Sequence, residues 1–148
     1  MNGVSTIMIG EGIRRYTSKD YPLISKWYVK HGMSPPKQEC LSDMGYIVNE
    51  RVAGWLYVTN SNVAMIEGVI SDPDTLSSAR KHDLKRLCGT LIDMSMALGC
   101  TQILAITDHP GIEQLCDDFG FKEIEKKAFL LRDKDDSDYI SDDPKNAD

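Results

Sequence analysis

The stretch from Val63 to Phe121 constrains the fold of this chain more than any other. It reads as a strand (VAMIEGVIS), an Asp72-Pro73 turn, a long amphipathic helix to Leu98, a second strand (CTQILAIT) and a short helix ending at Gly120-Phe121. Leu84, Leu87, Cys88, Leu91, Ile92, Ser95 and Leu98 recur at three- and four-residue steps, a stripe that has to face a sheet. Gly99 suits the position just past the helix, and Cys100 to Thr107 follows as a continuous apolar strand. Two strands joined through such a helix form a β-α-β unit and run parallel. If they splay beside the helix N-terminus, a phosphate-bearing cofactor can sit there. Asp108-His109-Pro110 opens the short helix with Ile112 and Leu115 inward, and Phe121 to Leu131 supplies a final strand or hairpin.

Upstream, the pattern changes to short strands. Gly12 to Tyr16 is a short strand candidate, and Thr17 with Asp20 three residues on resembles a capping box. The helix it opens puts Ile24, Trp27, Tyr28 and His31 along one face and stops at Gly32. Ser34-Pro35-Pro36 forces a loop, with a short helix or turn through Gln38 to Leu41. Gly45 to Val48 and Ala53 to Thr59 are strands rich in Tyr, Val, Trp and Ile, joined by a tight turn at Asn49-Glu50-Arg51. Asn60-Ser61-Asn62 makes the next hairpin turn. Three or four antiparallel strands thus precede the long helix, and the class is α/β (α+β) with a mixed sheet.

A chain of 148 residues, 41% hydrophobic, suits one globular domain. We place that domain at 1–132 and an acidic, disordered tail at 133–148. From Asp133 onward seven Asp face two Lys, so −5 of the total charge of −6 belongs to the tail. The nearly neutral body argues against nucleic acid as a partner. No apolar run approaches the roughly 18 residues of a membrane span, and the N-terminus lacks the pattern of a signal peptide. Cys40, Cys88, Cys100 and Cys116 show no zinc spacing, so no metal and a reducing, cytoplasmic setting are expected.

Chemistry concentrates at the start of the long helix. With Ser77 or Ser78 as cap, Arg80, Lys81 and His82 fall in or near the first turn. Cations there oppose the helix dipole by roughly 0.3–1 kcal/mol each, a cost that an anionic ligand would reverse. Arg80, Lys81, Lys85 and Arg86 form a basic cluster that reads either as a phosphate cradle, with Ser78 to Asp83 around it, or as a solvated helix face.

The order of elements over residues 12–132 resembles the GCN5-related N-acetyltransferase (GNAT) superfamily. Aligned back from Leu98-Gly99-Cys100, the family's Arg/Gln-x-x-Gly-x-Gly/Ala acyl-CoA loop falls at Ala79 to Leu84, where His82 and Leu84 occupy the small positions. The early Trp-containing helix, the Pro-Pro loop, the Gly54-Trp55-Leu56-Tyr57 strand and the glycine-poor loop are similar to those of a smaller group of GNAT-like proteins common in bacteriophages and prophages. The resemblance implies acetyl-CoA as cofactor and acetyl transfer to a primary amine. It implies Glu67 as general base and the backbone of Val69, Ile70 and Ser71 beside the pantetheine arm. It also implies Cys116 near the slot of the family's thiolate-protonating Tyr, and His109 near a cofactor-contacting Asn.

Two functions remain open at this point. One is an acetyltransferase using Glu67 and the Ser78–Asp83 cradle. The other is a GNAT-like module without CoA binding, phage-encoded, that docks a protein partner with its cleft and acidic tail in a host cytoplasm or virion. Edge strands leave an oligomer open.

Overall fold

A computed structural model describes residues 10–107, 109–124 and 131. Among them are strands β1 (Ile13–Arg15), β2 (Met44–Val48), β3 (Val52–Val58), β4 (Val63–Ser71) and β5 (Gln102–Ala105). The helices are α1 (Tyr21–Lys30), α2 (Ser77–Ala97) and α3 (Pro110–Asp118), with 3-10 turns at Ser18–Asp20 and Gln38–Cys40. The strands form a single sheet in sequence order, β1-β2-β3-β4-β5. The first four are antiparallel and β5 runs parallel to β4, as a crossover through α2 demands. The α+β class with a mixed sheet is therefore as expected.

The two faces of the sheet bury different side chains. Tyr46, Val48, Val52, Leu56, Ala64 and Ile66 pack with Leu87, Leu91 and Met94 of α2. Ile47, Ala53, Trp55 and Ile70 pack on the other face with Tyr16 and with Ile24, Trp27 and Tyr28 of α1. Because both faces are covered, β2 and β3 are apolar at successive positions instead of alternating. Gly54 lies under α2, where an added Cβ would come within 3.1 Å of Leu87 Cδ2 and 3.2 Å of Val69 Cγ2.

The three-residue β2–β3 connection places Asn49 and Glu50 at φ 50° and 54°, a left-handed pair closed by the Arg51 N–H on the Val48 carbonyl at 3.0 Å. Thr17 and Asp20 form the expected box: the Thr17 N–H donates to Asp20 Oδ2 at 2.9 Å and the Asp20 N–H to the Thr17 carbonyl at 2.8 Å. Asp20 also accepts from Arg14 Nη1 and Nη2 at 3.0 and 2.8 Å, tying β1 to the start of α1.

Several expectations need correction. Neither Ser77 nor Ser78 caps α2; the N-cap is Leu76, extended at φ −59° and ψ 138°, with no side-chain cap. Ala79 to Leu84 is not a loop but lies inside α2, since nothing in ARKHDL breaks a helix. The loop before α2 is instead 72–76, held by Asp72: its Oδ1 accepts from the Asp74 N–H at 3.0 Å and its carbonyl from Thr75 Oγ1 at 2.8 Å. The strand expected over Cys100–Thr107 is confined to Gln102–Ala105. His31 is exposed beyond the end of α1, its Nε2 2.8 Å from the Ser71 carbonyl. Phe121 to Ile124 has no regular structure, and most of the final strand expected up to Leu131, like the whole tail from Asp133, lies outside the described residues.

Candidate active site

The pairing of β4 with β5 ends at Ile66↔Ala105, although β4 continues through Glu67 to Ser71. β5 itself ends at that point, which leaves a notch on its side of β4. On the other side of β4 the register with β3 shifts between Trp55↔Glu67 and Ala53↔Ile70, which marks a β-bulge. Gly68 sits in it at φ +74°, a conformation that side chains rarely tolerate. An added Cβ would also lie 3.1 Å from Trp55 Cε3.

Glu67 occupies the mouth of this notch, directly across from Trp55 on the face covered by α1. It is half-buried, and burial pushes its carboxyl above the usual carboxylate range against a backbone hydrogen bond from Gly68 that lowers it. Two phenols lie within its electrostatic reach. Burial, reinforced by the Glu67 charge, pushes Tyr28 up, and Tyr57 is raised for the same reasons. Tyr28 Oη donates to the Gly68 carbonyl at 2.8 Å and Tyr57 Oη to the Cys40 carbonyl at 3.0 Å. A carboxylate whose pKa is moved towards neutrality is suited to removing a proton from a nucleophile.

The second half of the site is the start of α2. No described residue accepts from the N–H groups of Ser77, Ser78 or Ala79, while Arg80 N–H already bonds the Leu76 carbonyl. Free donors and the positive end of the helix dipole therefore converge at Ser77 and Ser78, both exposed. Arg80 folds back over the loop, with Nη1 3.3 Å from the Thr75 carbonyl and 3.5 Å from that of Pro73. Lys81 and His82 are exposed on the next turn. Asp83 is not with them. It is fully buried, accepting from Asn49 Nδ2 at 2.8 Å and from Arg51 Nε at 2.5 Å, and so holds α2 against the β2–β3 turn.

Val69, Ile70 and Ser71 continue β4 beyond the notch. Ile70 is buried under α1, Val69 faces α2, and the Ser71 carbonyl is engaged by His31. His109 serves as N-cap of α3, its Nδ1 accepting from the Gly111 N–H at 3.1 Å. Cys116 is half-buried on α3; burial pushes its thiol up, with Asp117 and Glu113 adding to the rise, so it stays protonated at neutral pH. Its neighbour Cys88 on α2 is pushed up by burial to about 12. Cys116 and Glu67 make no described contact with one another.

Two residues beside Glu67 were not singled out from sequence. Tyr28 reads there as one more apolar position of α1, and Tyr57 as one more strand residue; the packing of α1 on β4 brings the first near Glu67, and the β3–β4 register the second. The glycine inside an otherwise apolar strand was the signal that a bulge lay there.

Among the described residues no helix is long and apolar enough to cross a membrane, and no three His, Cys, Asp or Glu side chains gather as a metal site.

No protein-family model matches this chain, and no curated protein matches it in sequence. Solved structures match it in fold. The Thermus thermophilus protein TTHA1254 superposes with a TM-score of 0.59 at 11% identity, over 82% of this chain and 96% of that one. An acetyltransferase from Trypanosoma brucei gives 0.54 at 16% identity, over 81% and 98%. The aminoglycoside N-acetyltransferase AAC(6')-Iy, solved in complex with CoA, gives 0.50 at 14% identity, over 82% and 98%. The arrangement of helices and sheet is consistent with the GNAT fold, and identities this low speak for the fold alone.

Proposed function

We propose that this protein is an acetyl-CoA-dependent N-acetyltransferase that passes the acetyl group directly to a primary amine. One observation carries the proposal: the β5 side of β4 is open from Glu67 onward, and the helix that follows this strand starts with unpaired backbone donors. The residues present fit the group. The N–H groups of Ser77, Ser78 and Ala79, with Lys81 and His82 on the next turn, would hold its phosphates. The open side of β4 from Val69 to Ser71 would take the pantetheine arm by backbone hydrogen bonds. The bound thioester supplies an activated acetyl carbon.

Glu67 takes a proton from the incoming ammonium, directly or through water, so that the nitrogen lone pair can attack that carbon. As the thiolate leaves, Cys116 would supply the proton that it takes up and be reprotonated from solvent, while the second nitrogen proton, lost as the amide forms, would pass to solvent. His109, at the start of α3, would line the far side of the site. The setting is the cytoplasm.

Calorimetric titration with acetyl-CoA and with CoA tests the proposal. Micromolar binding that weakens at least tenfold in the K81A/H82A double variant, with an unchanged melting temperature, is the expected result. Silence at millimolar ligand overturns it.

Asp72 favours a second reading, because it sets negative charge on the loop next to the helix start. In it, the protein is a GNAT-fold module without CoA binding, phage-encoded and acting in a host cytoplasm or virion. The acidic segment from Asp133 then docks a protein partner. A partner that co-purifies with the full chain and is lost on deleting residues 134–148, in a protein that ignores CoA, is its signature.

A further inference from the structure

The hydrogen bond between Tyr28 and Gly68 joins two layers of the molecule at the place where the sheet opens. The donor is a buried side chain of α1 and the acceptor is the carbonyl of the bulged residue of β4, 2.8 Å apart. A bulge leaves the backbone of its extra residue out of step with the ladder, and an unpaired buried carbonyl is costly. Here the helix layer supplies the missing donor. A few residues on, His31 Nε2 meets the Ser71 carbonyl at 2.8 Å, and Lys30 pairs with Asp74 on the following loop. The C-terminal half of α1 thus grips β4 on both sides of Glu67's outer neighbours, and Tyr28 is the grip nearest the notch.

The geometry points to Tyr28 as the positioning residue of this site: its hydroxyl holds the Gly68 bulge in place, and the bulge in turn fixes where Glu67 presents its carboxylate and where β4 leaves β5. Tyr28 does not need to touch a reacting atom. Its phenol stays protonated because burial and the nearby Glu67 charge both oppose ionisation, so the donor is present across the working pH range. Tyr57, the other phenol near Glu67, is already committed to the Cys40 carbonyl and is not a substitute donor.

The inference rests on the acetyltransferase reading only for its kinetic consequence, and its test separates the two. Y28F keeps the buried ring and removes the hydroxyl. In the full chain, backbone amide exchange at Glu67 to Ser71 is expected to accelerate at least tenfold in Y28F, with β2 and α2 unchanged. The midpoint of the Glu67 carboxyl titration, followed by NMR, is expected to fall towards the ordinary carboxylate value as the loosened bulge lets water in. If wild type turns over an amine, Y28F should lower kcat at least tenfold while KM for acetyl-CoA stays within twofold. Unchanged exchange and an unchanged Glu67 midpoint would overturn the assignment, as would a uniform loss of protection throughout the protein, which marks a stability role only. A wild type that neither binds CoA nor acetylates would defeat the acetyltransferase reading and leave the exchange and titration results to decide the role of Tyr28.

Discussion

Arg51 and Asp83 pair across the junction of sheet and helix at 2.5 Å, with the carboxylate wholly buried and the guanidinium about one-third exposed, at 36%. The asymmetry decides which partner is more costly to lose. R51M strands a buried carboxylate with Asn49 as its remaining partner, and breaking a buried pair in this way costs about 3–5 kcal/mol. D83N leaves a guanidinium that water can reach, so it should cost less. Urea denaturation of the two variants checks the order, and a larger loss for D83N would contradict it.

Glu67 links the site to stability as well as to rate. Its folded-state pKa is raised by burial, so the folded chain binds the proton more tightly than the unfolded chain. Stability should therefore fall as pH rises from the ordinary carboxylate pKa through the raised one. In E67Q this slope disappears. The rise of the transfer rate with pH, which reports a base losing its proton, should vanish in the same variant while CoA affinity is kept. A wild-type pH profile retained in E67Q would remove Glu67 from the mechanism.

Gly68 should resist substitution. At φ +74°, with Trp55 Cε3 3.1 Å from the position of a Cβ, G68A has to strain the backbone or flatten the bulge. A loss of about 1–3 kcal/mol in chemical denaturation is expected.

Ser77 offers a subtler probe of the helix start. As the first residue of α2 it can become proline without breaking a helical hydrogen bond, and the extended Leu76 before it is compatible with that change. S77P removes one free N–H. CoA affinity should drop about tenfold, the loss of one hydrogen bond to a charged group, with melting temperature unchanged or raised. Undiminished affinity would mean that the phosphates are held elsewhere.

Asp20 and Glu50 share Arg14, which holds both carboxyls below the usual range. Carboxylates with depressed pKa values contribute stability above their unfolded pKa and lose it as pH falls through the folded value. R14M should therefore flatten the acid limb of the stability curve, read as urea midpoints between neutral and acid pH.

What was readable in the sequence was mostly local. The stripe from Leu87 to Ser95 predicts α2, Asn49-Glu50-Arg51 predicts the hairpin, and Thr17 with Asp20 predicts the start of the first helix, because each signal lies within a few residues. Asp83 was misread as a member of the helix-start cradle because it stands among the charges of ARKHDLKR, and its partners Asn49 and Arg51 lie on a distant hairpin. The position of the loop before α2 was misplaced for a related reason: Ser77 and Ser78 look like caps, yet Leu76 takes that place and the helix starts one or two residues early. Glu67 was named through family resemblance, but its burial, its bulge and its two phenols emerge only when β3, β4 and α1 are assembled.

The sheet order also dictates a sequence of events in time. β2, β3 and β4 pair through two hairpins, each closing over a short loop at little entropic cost, whereas β1 reaches β2 across the whole of α1. β5 reaches β4 only after α2 has crossed the sheet, pairing Val63 with Gln102. We expect the meander to form early and the parallel pair to close late, with mutations at Ile47 slowing folding and mutations at Ile103 chiefly hastening unfolding in stopped-flow chevrons. The edge that the site depends on is then the last part of the sheet to be made and the first to come undone.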